Sequence, residues 1–147
     1  MDKRARFRLS FIERRGPEEI GGVIYGGLSN KSNSRRIFNG ISIKAEAALD
    51  FVDKVKILGR AVRARGQMRG ATSEKDVKAG LRTLVLSAVV YGASWRRDLD
   101  VELLPDALQE AGVINNDRSI REKHYWWRLD KGLPRIEFTV KISEREV

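Results

Sequence analysis

Three aspartates in the second half of the chain are the residues best suited to chemistry. Asp98 and Asp100 follow an apolar run, with Arg96 and Arg97 just before them, and Asp117 comes seventeen residues after Asp100. Carboxylate oxygens are the ligands that Mg²⁺ prefers, and guanidinium groups hold phosphates. Acids set among arginines in this way suit hydrolysis of a nucleic-acid backbone with the help of a divalent cation.

The spacing of the three acids leaves their arrangement open. If the strand persists through Asp98 and Asp100, both carboxylates leave the same face about 7 Å apart and can lean onto one cation. The alternative is a strand-end pair that the neighbouring arginines neutralise. Asp117 lies beyond a predicted helix of about eleven residues, roughly 16 Å long. Either the chain folds back to bring Asp117 to the pair, or a second subunit supplies it.

The overall charge favours a polyanion as partner. Lys and Arg number 29 against 20 Asp and Glu, which gives a net charge of +9, and the basic residues are spread along the whole chain. Such a balance is typical of proteins that bind nucleic acid, although a well-solvated basic surface would give the same count.

Composition also excludes several classes of site. The chain has no cysteine, which excludes disulfides and thiolate nucleophiles, and its one histidine, His124, excludes a multi-histidine metal site within one chain. At 147 residues we expect a single domain spanning residues 1–147. No apolar run has the length of a signal peptide or a membrane-spanning helix, so we expect a cytoplasmic protein with no membrane partner.

The first half of the chain alternates between strand and turn signals before a long helix. Alternating apolar residues predict a first strand over about 6–12, and glycine pairs around Val23 indicate a loop or hairpin that continues through a polar stretch to Arg36. Asn39-Gly40 is a hairpin turn signal. Helical spacing of apolar residues predicts an amphipathic helix over about 43–58. The glycine- and arginine-rich stretch 59–79 reads as a mobile basic loop, a solvated linker or a frayed helix.

The second half predicts a buried strand, a short helix and then a closing pair of strands. Leucine and valine dominate 82–94, which we interpret as a buried strand. Val101, Leu104, Leu108 and Ala111 then form an apolar helical face that ends at Gly112. Residues 122–129 and 135–142 are rich in aromatic and β-branched residues and predict a C-terminal β-hairpin.

The acidic motif resembles a known family. The segment Arg96-Arg97-Asp98-Leu99-Asp100, a short helix, and then Ala111-Gly112-Val113-Ile114-Asn115-Asn116-Asp117 resemble the RusA family of Holliday-junction resolvases, small dimeric endonucleases common in phages and prophages. The chain resembles the RusA pattern well over about 94–120. The resemblance is looser over 132–142 and over the loop 29–33 with the helix after it. The stretch 59–79 looks like an insertion.

The resemblance implies a fold, an activity and a set of site residues. The fold would be α/β (α+β), with a small mixed β-sheet, two main helices and the C-terminal hairpin. Asp98, Asp100 and Asp117 would be the catalytic, metal-binding residues, with Mg²⁺ as cofactor, Mn²⁺ as a substitute and no small-molecule cofactor. The partners would be a four-way DNA junction, cut during recombination or repair, and a second copy in a homodimer. The residues expected to contact DNA are Lys31, Arg35, Arg36, Arg96, Arg97, Arg118 and Arg121.

The chain departs from the family pattern at two positions. The family has an asparagine directly after the second aspartate and a lysine three residues later, where this chain has Val101 and Leu104. The loss removes a cation that would stabilise charge on the phosphate. Arg97, Arg118 or Lys123 could supply one from another direction. The alternatives are a weakened nuclease, a basic junction-binding or packaging-associated protein, or an RNA-binding protein.

Two further features admit a structural and a functional interpretation. Glu102 suits an additional metal ligand, but also a first-turn glutamate favoured by the helix dipole. The run Tyr125-Trp126-Trp127 suits stacking on unpaired bases. Because consecutive strand residues face opposite ways, at least one of these three aromatics is expected in the core or in a dimer interface.

Overall fold

A computed structural model describes residues 9–16, 18–26, 35–38, 41–44, 46–64, 82–92, 101–114 and 117–144. In chain order the elements are β1 (Phe11–Gly16), β2 (Glu19–Tyr25), β3 (Arg35–Phe38), β4 (Ile41–Lys44), α1 (Glu46–Ala64), β5 (Arg82–Gly92), α2 (Leu103–Glu110), a 3-10 turn (Asp117–Ser119), β6 (Ile120–Leu129) and β7 (Arg135–Glu144).

The main structural element is a five-stranded mixed sheet in the order β1-β2-β7-β5-β6. Strands β5 and β6 are parallel, and the other neighbours are antiparallel. The parallel pair is joined through α2, so β5, α2 and β6 form a βαβ unit. The mixed sheet with two helices confirms the predicted fold class.

The two C-terminal strands are consecutive and run in opposite directions, but they are not hydrogen-bonded to each other. Strand β7 pairs with β2 on one side and β5 on the other, and β6 pairs with β5. The hairpin prediction therefore has the right strands and directions, while β5 is inserted between them. Period-two alternation assigns side chains to faces and carries no information about which strand is the neighbour.

One face of the sheet is apolar and carries the core. On β7, Ile136, Phe138 and Val140 are buried, and on β5 Leu86 is fully buried. These side chains form one cluster with residues of both helices, among them Val55. We call this side the apolar face.

The opposite side, which we call the polar face, carries the alternate residues of the same strands. These include Glu137, Thr139 and Lys141 of β7, Ser87 of β5, and Glu122, His124, Trp126 and Arg128 of β6. Most of them are half-buried or exposed.

Helix α1 begins and ends later than the sequence predicts. The prediction was 43–58, whereas Ile43 lies in β4 and the helix continues to Ala64. Gly59 does not break it, because a Cβ there would lie 2.9 Å from the Val113 side chain and 3.1 Å from that of Ala111, so the glycine lets α1 approach the end of α2. The first six residues of the supposed insertion 59–79 are therefore helical, and its remainder lies outside the described residues.

The first strand also begins later than predicted. Strand β1 covers Phe11–Gly16, and the predicted range 6–12 shares only Phe11 and Ile12 with it, since residues 1–8 are not among those described. Gly21 and Gly22, interpreted as loop residues, lie inside β2. A Cβ on Gly22 would collide with the Phe11 carbonyl oxygen, so the glycine permits the close approach of β1 and β2.

The short β3–β4 pair agrees with the predicted turn signal. The two strands pair antiparallel, with Phe38 opposite Ile41, so the predicted turn residues 39 and 40 connect them although both lie outside the described ranges. In the part of the chain that the structure covers, no helix is long and apolar enough to cross a membrane.

Candidate functional site

The structure describes only part of the predicted site. Asp98, Asp100, Lys31, Arg96 and Arg97 lie outside the described residues. Arg35 and Arg36 lie on β3, away in sequence from the βαβ unit, and only their backbone is described. Asp117, Arg118 and Arg121 are described with their side chains.

Helix α2 forms the frame of the site. Its first turn begins at Val101, whose carbonyl accepts a hydrogen bond from the Leu104 N–H at 3.0 Å, and Pro105 is accommodated in that turn. Val101 is fully buried and directly follows Asp100 in the sequence. The Val101 end of α2 is therefore the described point closest along the chain to the predicted acidic pair.

Leu104, at the position where the RusA pattern has a lysine, is part of the core. The Leu104 side chain has 0 % of its surface exposed and belongs to the cluster that joins both helices to the apolar face. The apolar helical spacing of the sequence predicts this inward orientation. A lysine at this position could not reach a phosphate without leaving the core, so a cation for the site must come from another residue.

Lys123 places a cation at the N-terminal end of α2. Its Nζ lies 3.0 and 3.1 Å from the two carboxylate oxygens of Glu102, although the two residues are 21 positions apart. Of the three cations proposed as substitutes, Lys123 is at this end of the helix, Arg118 is beside Asp117, and Arg97 is outside the described ranges. Glu102 and Lys123 each stand out in the sequence as charged residues near the motif, but nothing in the sequence indicates that they pair.

Glu102 is engaged by this ion pair. Its carboxylate makes no capping hydrogen bond to the N-terminus of α2. The pair with Lys123 is partly exposed, with 43 % and 34 % of the two side-chain surfaces accessible, so its net contribution to stability is small. Its effect is to hold the Lys123 ammonium beside Glu102, the residue that follows Val101.

Asp117 lies towards the other end of α2 in a half-buried position. Its backbone N–H donates a hydrogen bond to the Gln109 side-chain oxygen at 2.9 Å, which ties the 3-10 turn to the last turn of α2. Within the described ranges, the Asp117 carboxylate has no hydrogen bond or ion pair. The exposed Arg118 follows it, and the exposed Arg121 lies at the start of β6. The carboxylate is thus available to a cation beside two arginines.

The length of α2 separates the two described ends of the site. Its eight residues span about 12 Å, with Val101 at the start and Asp117 bound to Gln109 near the end. Among the residues whose placement is described, no three acidic or histidine side chains converge to hold a metal ion. Whether the acids meet within one chain or between two chains stays a prediction.

A second polar cluster lies on the polar face at the end of β5. The Arg135 guanidinium is 2.8 Å from Asp130 Oδ2 and 3.4 Å from Glu137 Oε1, and it lies 3.7 Å above the Tyr91 ring. The Asp130 N–H donates to the Gly92 carbonyl at 2.8 Å. These contacts anchor the β6–β7 connection to the last residue of β5. The sequence predicts a hairpin connection between β6 and β7, but nothing in the sequence indicates the ion pairs of this connection.

The charges of this cluster stabilise each other. The hydrogen bond from Arg135 lowers the pKa of the Asp130 carboxyl, helped by the Gly132 and Leu133 N–H groups and opposed by partial burial. For Arg135, burial alone would lower the pKa, but the hydrogen bonds to Asp130 and Glu137 outweigh it and the pKa is raised. Both groups are ionised at neutral pH and neutralise each other, so Arg135 is a poor candidate for holding a phosphate.

The aromatic run of β6 divides between the two faces, as the strand alternation predicts. Tyr125 and Trp127 pack against the core, and a Cβ on Gly92 would collide with the Trp127 indole ring. Trp126 is 49 % exposed on the polar face and stacks on His124 with ring centroids 6.2 Å apart. A shallow cavity of about 360 Å³ lies beside Trp126, lined also by Ser87, Thr139 and Glu137.

Comparison with known proteins gives no relative. No family model matches the chain, and no curated protein is significantly similar to it. The resemblance to the RusA family therefore depends on the motif residues from Arg96 to Asp117 and stays a prediction.

Proposed function

We propose that this chain is a magnesium-dependent, structure-selective endodeoxyribonuclease that cuts four-way or otherwise branched DNA as a homodimer. The setting would be the cytoplasm of a bacterium, in recombination or repair, with the gene carried by the bacterium or by a phage. The proposal combines the motif of Asp98, Asp100 and Asp117, the net charge of +9, and a fold in which α2 connects two parallel strands between the motif's halves.

The observation that carries the proposal is the environment of Asp117. Within the described residues the Asp117 carboxylate has no hydrogen bond or ion pair, so its oxygens are available as ligands to a metal ion. Arg118 directly follows Asp117 and Arg121 lies four residues after it, both with exposed side chains, and guanidinium groups can hold a phosphate backbone. An available carboxylate close in sequence to exposed arginines fits a phosphodiesterase site.

The donor chemistry of the three aspartates suits Mg²⁺. A magnesium ion takes oxygen ligands and keeps several waters, so two or three carboxylates satisfy its protein side. Bound there, the ion supplies charge neutralisation at the scissile phosphate and activation of water. Asp117 is the one of the three whose surroundings the structure describes, and its carboxylate is accessible for this role.

The remaining side chains have separate tasks. Gln109 holds the Asp117 backbone and so orients the carboxylate. In RusA proteins a lysine supplies positive charge near the phosphate. In this chain Lys123, held by Glu102 at the N-terminal end of α2, supplies that charge instead. Arg118 and Arg121 bind backbone phosphates and position the strand, contacts that carry no sequence preference.

Cleavage of a synthetic four-way junction tests the proposal. With Mg²⁺ present, the unaltered chain should nick the junction in two opposed strands and leave linear duplex of the same sequence intact. Asp117→Asn should lower the rate at least about 100-fold, because it removes a charged ligand while preserving shape. Asp53→Asn is the matched control, since Asp53 is an exposed residue of α1 away from the motif, and it should leave the rate unchanged. Equal cleavage by both variants would refute the assignment.

The burial of Leu104 favours a second candidate, a junction-binding protein that keeps the fold without the activity. If Lys123 does not replace the lost cation, the protein should bind the four-way junction tightly and cut it neither with Mg²⁺ nor with Mn²⁺. Binding that falls steeply between low and physiological salt is expected in both cases, because several phosphate contacts are involved. Stronger retention of structured RNA than of branched DNA would instead support an RNA-binding protein.

A further inference from the structure

The outer edge of β6 is a long strand edge that the described residues do not cover. Strand β6 is the last strand of the five-stranded sheet and has ten residues, Ile120–Leu129, that pair with β5 on one side. Its pairing is regular from Glu122 to Leu129. The strand contains no glycine or proline, and its edge offers backbone N–H and C=O groups to another strand.

The other edge of the sheet has the features that prevent such pairing. Strand β1 has six residues, a bulge between Arg14 and Gly16, and the charged run Glu13-Arg14-Arg15. A short, bulged and charged edge discourages a further strand. Strand β6 also has a register irregularity, at Arg121, and a charged run, Arg121-Glu122-Lys123, but its eight residues from Glu122 to Leu129 pair regularly and give it the longer edge for a further strand.

The charges on β6 favour a second copy of the same chain as its partner. A twofold axis perpendicular to the sheet pairs β6 antiparallel with β6 of the second copy. With Tyr125 on the axis, Glu122, whose Oε1 lies 2.9 Å from His124 Nε2 of its own chain, faces Arg128 of the second copy as well, and the symmetry produces this pair twice. His124 then faces Trp126 of the second copy on the same side of the sheet, so an imidazole ring lies opposite an indole ring.

The neighbouring registers lack this complementarity. With Trp126 on the axis, Glu122 would face Asp130 of the second copy, which places like charges together. With His124 on the axis, Glu122 would face Trp126, and Arg128 would face Ile120. Arg128 is exposed and has no ion pair within the described residues, so it is available to an acidic partner.

We propose that the chain dimerises by antiparallel pairing of β6 with β6 of a second copy, centred on Tyr125, to form a continuous ten-stranded sheet. Glu122 and Arg128 set the register by two reciprocal ion pairs. This surface would serve the homodimer of the proposed function, but the inference does not depend on nuclease activity.

Reciprocal charge reversal tests this pairing through molecular mass in solution, measured by analytical ultracentrifugation. The unaltered chain should sediment as a dimer. Glu122→Arg and Arg128→Glu should each weaken the dimer about tenfold or more, because both reciprocal pairs become repulsive. A mixture of the two variants should form a heterodimer, since arginines at 122 and 128 of one chain then face glutamates of the other. The double variant E122R/R128E should also recover the homodimer.

Matched control variants separate the effect of net charge on dimerisation from the effect of breaking the Glu122–Arg128 pairs. Arg121→Glu changes the charge of the same strand as much as Arg128→Glu does, but residue 121 faces Leu129 of the second copy, so the dimer should persist. Glu18→Arg, on the turn that follows β1, is the control for Glu122→Arg. A monomeric unaltered chain would overturn the proposal. A dimer unchanged by either reversal, or no heterodimer on mixing, would overturn it too. Because the readout is mass, these outcomes are independent of whether junctions are cleaved.

Discussion

The two faces of the five-stranded sheet are formed by the same strands but differ in the burial and polarity of their side chains. On the apolar face, side chains such as Leu86 and Val140 are almost completely buried against α1 and α2. On the polar face, several charged residues pair with each other, as in Arg15–Glu13 at 3.2 Å and Arg135–Asp130 at 2.8 Å, and others such as Arg128 have no ion pair within the described residues. The apolar face therefore carries stability, and the polar face carries charges and an exposed tryptophan that are available for contacts.

This difference separates the candidate site from the features that hold the fold. The site residues of the βαβ unit lie where α2 meets solvent, with Asp117, Arg118 and Lys123 partly or fully exposed. The position at which the family has its lysine lies instead on the buried side of the same helix. Substitution there should affect folding, whereas substitution of the exposed site residues should affect function.

Placing the lysine of the RusA pattern at position 104 should have the largest effect on stability. Leu104→Lys buries an unpaired ammonium in a core of leucines and valines, and we expect a loss of about 4 kcal/mol or more in the free energy of unfolding. Leu104→Met preserves volume and polarity and should cost less than about 1.5 kcal/mol. Urea unfolding followed by circular dichroism measures both.

The result would show whether residue 104 of α2 points into the core or towards the substrate. A stable Leu104→Lys protein with faster junction cleavage would mean that residue 104 points towards the substrate. The buried side of α2 would then carry function as well as stability.

Two adjacent tryptophans provide a smaller test of the same contrast. Trp127 packs against the core beside Gly92, and Trp127→Ala should destabilise the fold by about 3 kcal/mol. Trp126 is half exposed on the polar face, and Trp126→Ala should change the free energy of unfolding by less than about 1 kcal/mol. Both are best measured in the Glu122→Arg background, so that dimerisation does not contribute. Equal costs would show that the polar face is also part of the core.

The local elements could largely be predicted from the sequence. Alternation at Ile136, Phe138 and Val140 predicts a strand and its buried face, and helical spacing at Leu104 and Leu108 predicts the buried side of α2. The structure confirms both. These patterns depend on which residues face the core, and that information is local in the chain.

What depends on distant neighbours could not be predicted. Gly22 was interpreted as a loop residue because glycine is usual there, and its reason for lying in β2, the approach of the Phe11 backbone, is visible only in three dimensions. The insertion of β5 between the last two strands and the pairing of Glu102 with Lys123 are contacts between separate segments. The arrangement of Asp98 and Asp100 stays a prediction because both lie outside the described residues.

The smallest predicted effect concerns the ion pair of the polar face. Because Arg135 lowers the pKa of Asp130 below that of an unfolded aspartate, ionised Asp130 stabilises the fold above about pH 4, and this stabilisation is lost as the pH falls through the lowered value. Asp130→Asn should therefore lower the melting temperature by a constant amount between about pH 5 and pH 8. The difference from the unaltered chain should shrink below about pH 4 and disappear once the pH lies below the lowered pKa of Asp130.

The cause of this pH dependence can be separated from the loss of the turn hydrogen bonds. Asparagine retains an oxygen that can accept from the Gly132 and Leu133 N–H groups, so the pH-dependent part should reflect Arg135. In an Arg135→Gln background, Asp130→Asn should then show little pH dependence. A difference that does not shrink as the pH is lowered would assign the contribution of Asp130 to its hydrogen bonds to the turn, and the charges of the polar face would then add nothing to stability at this position.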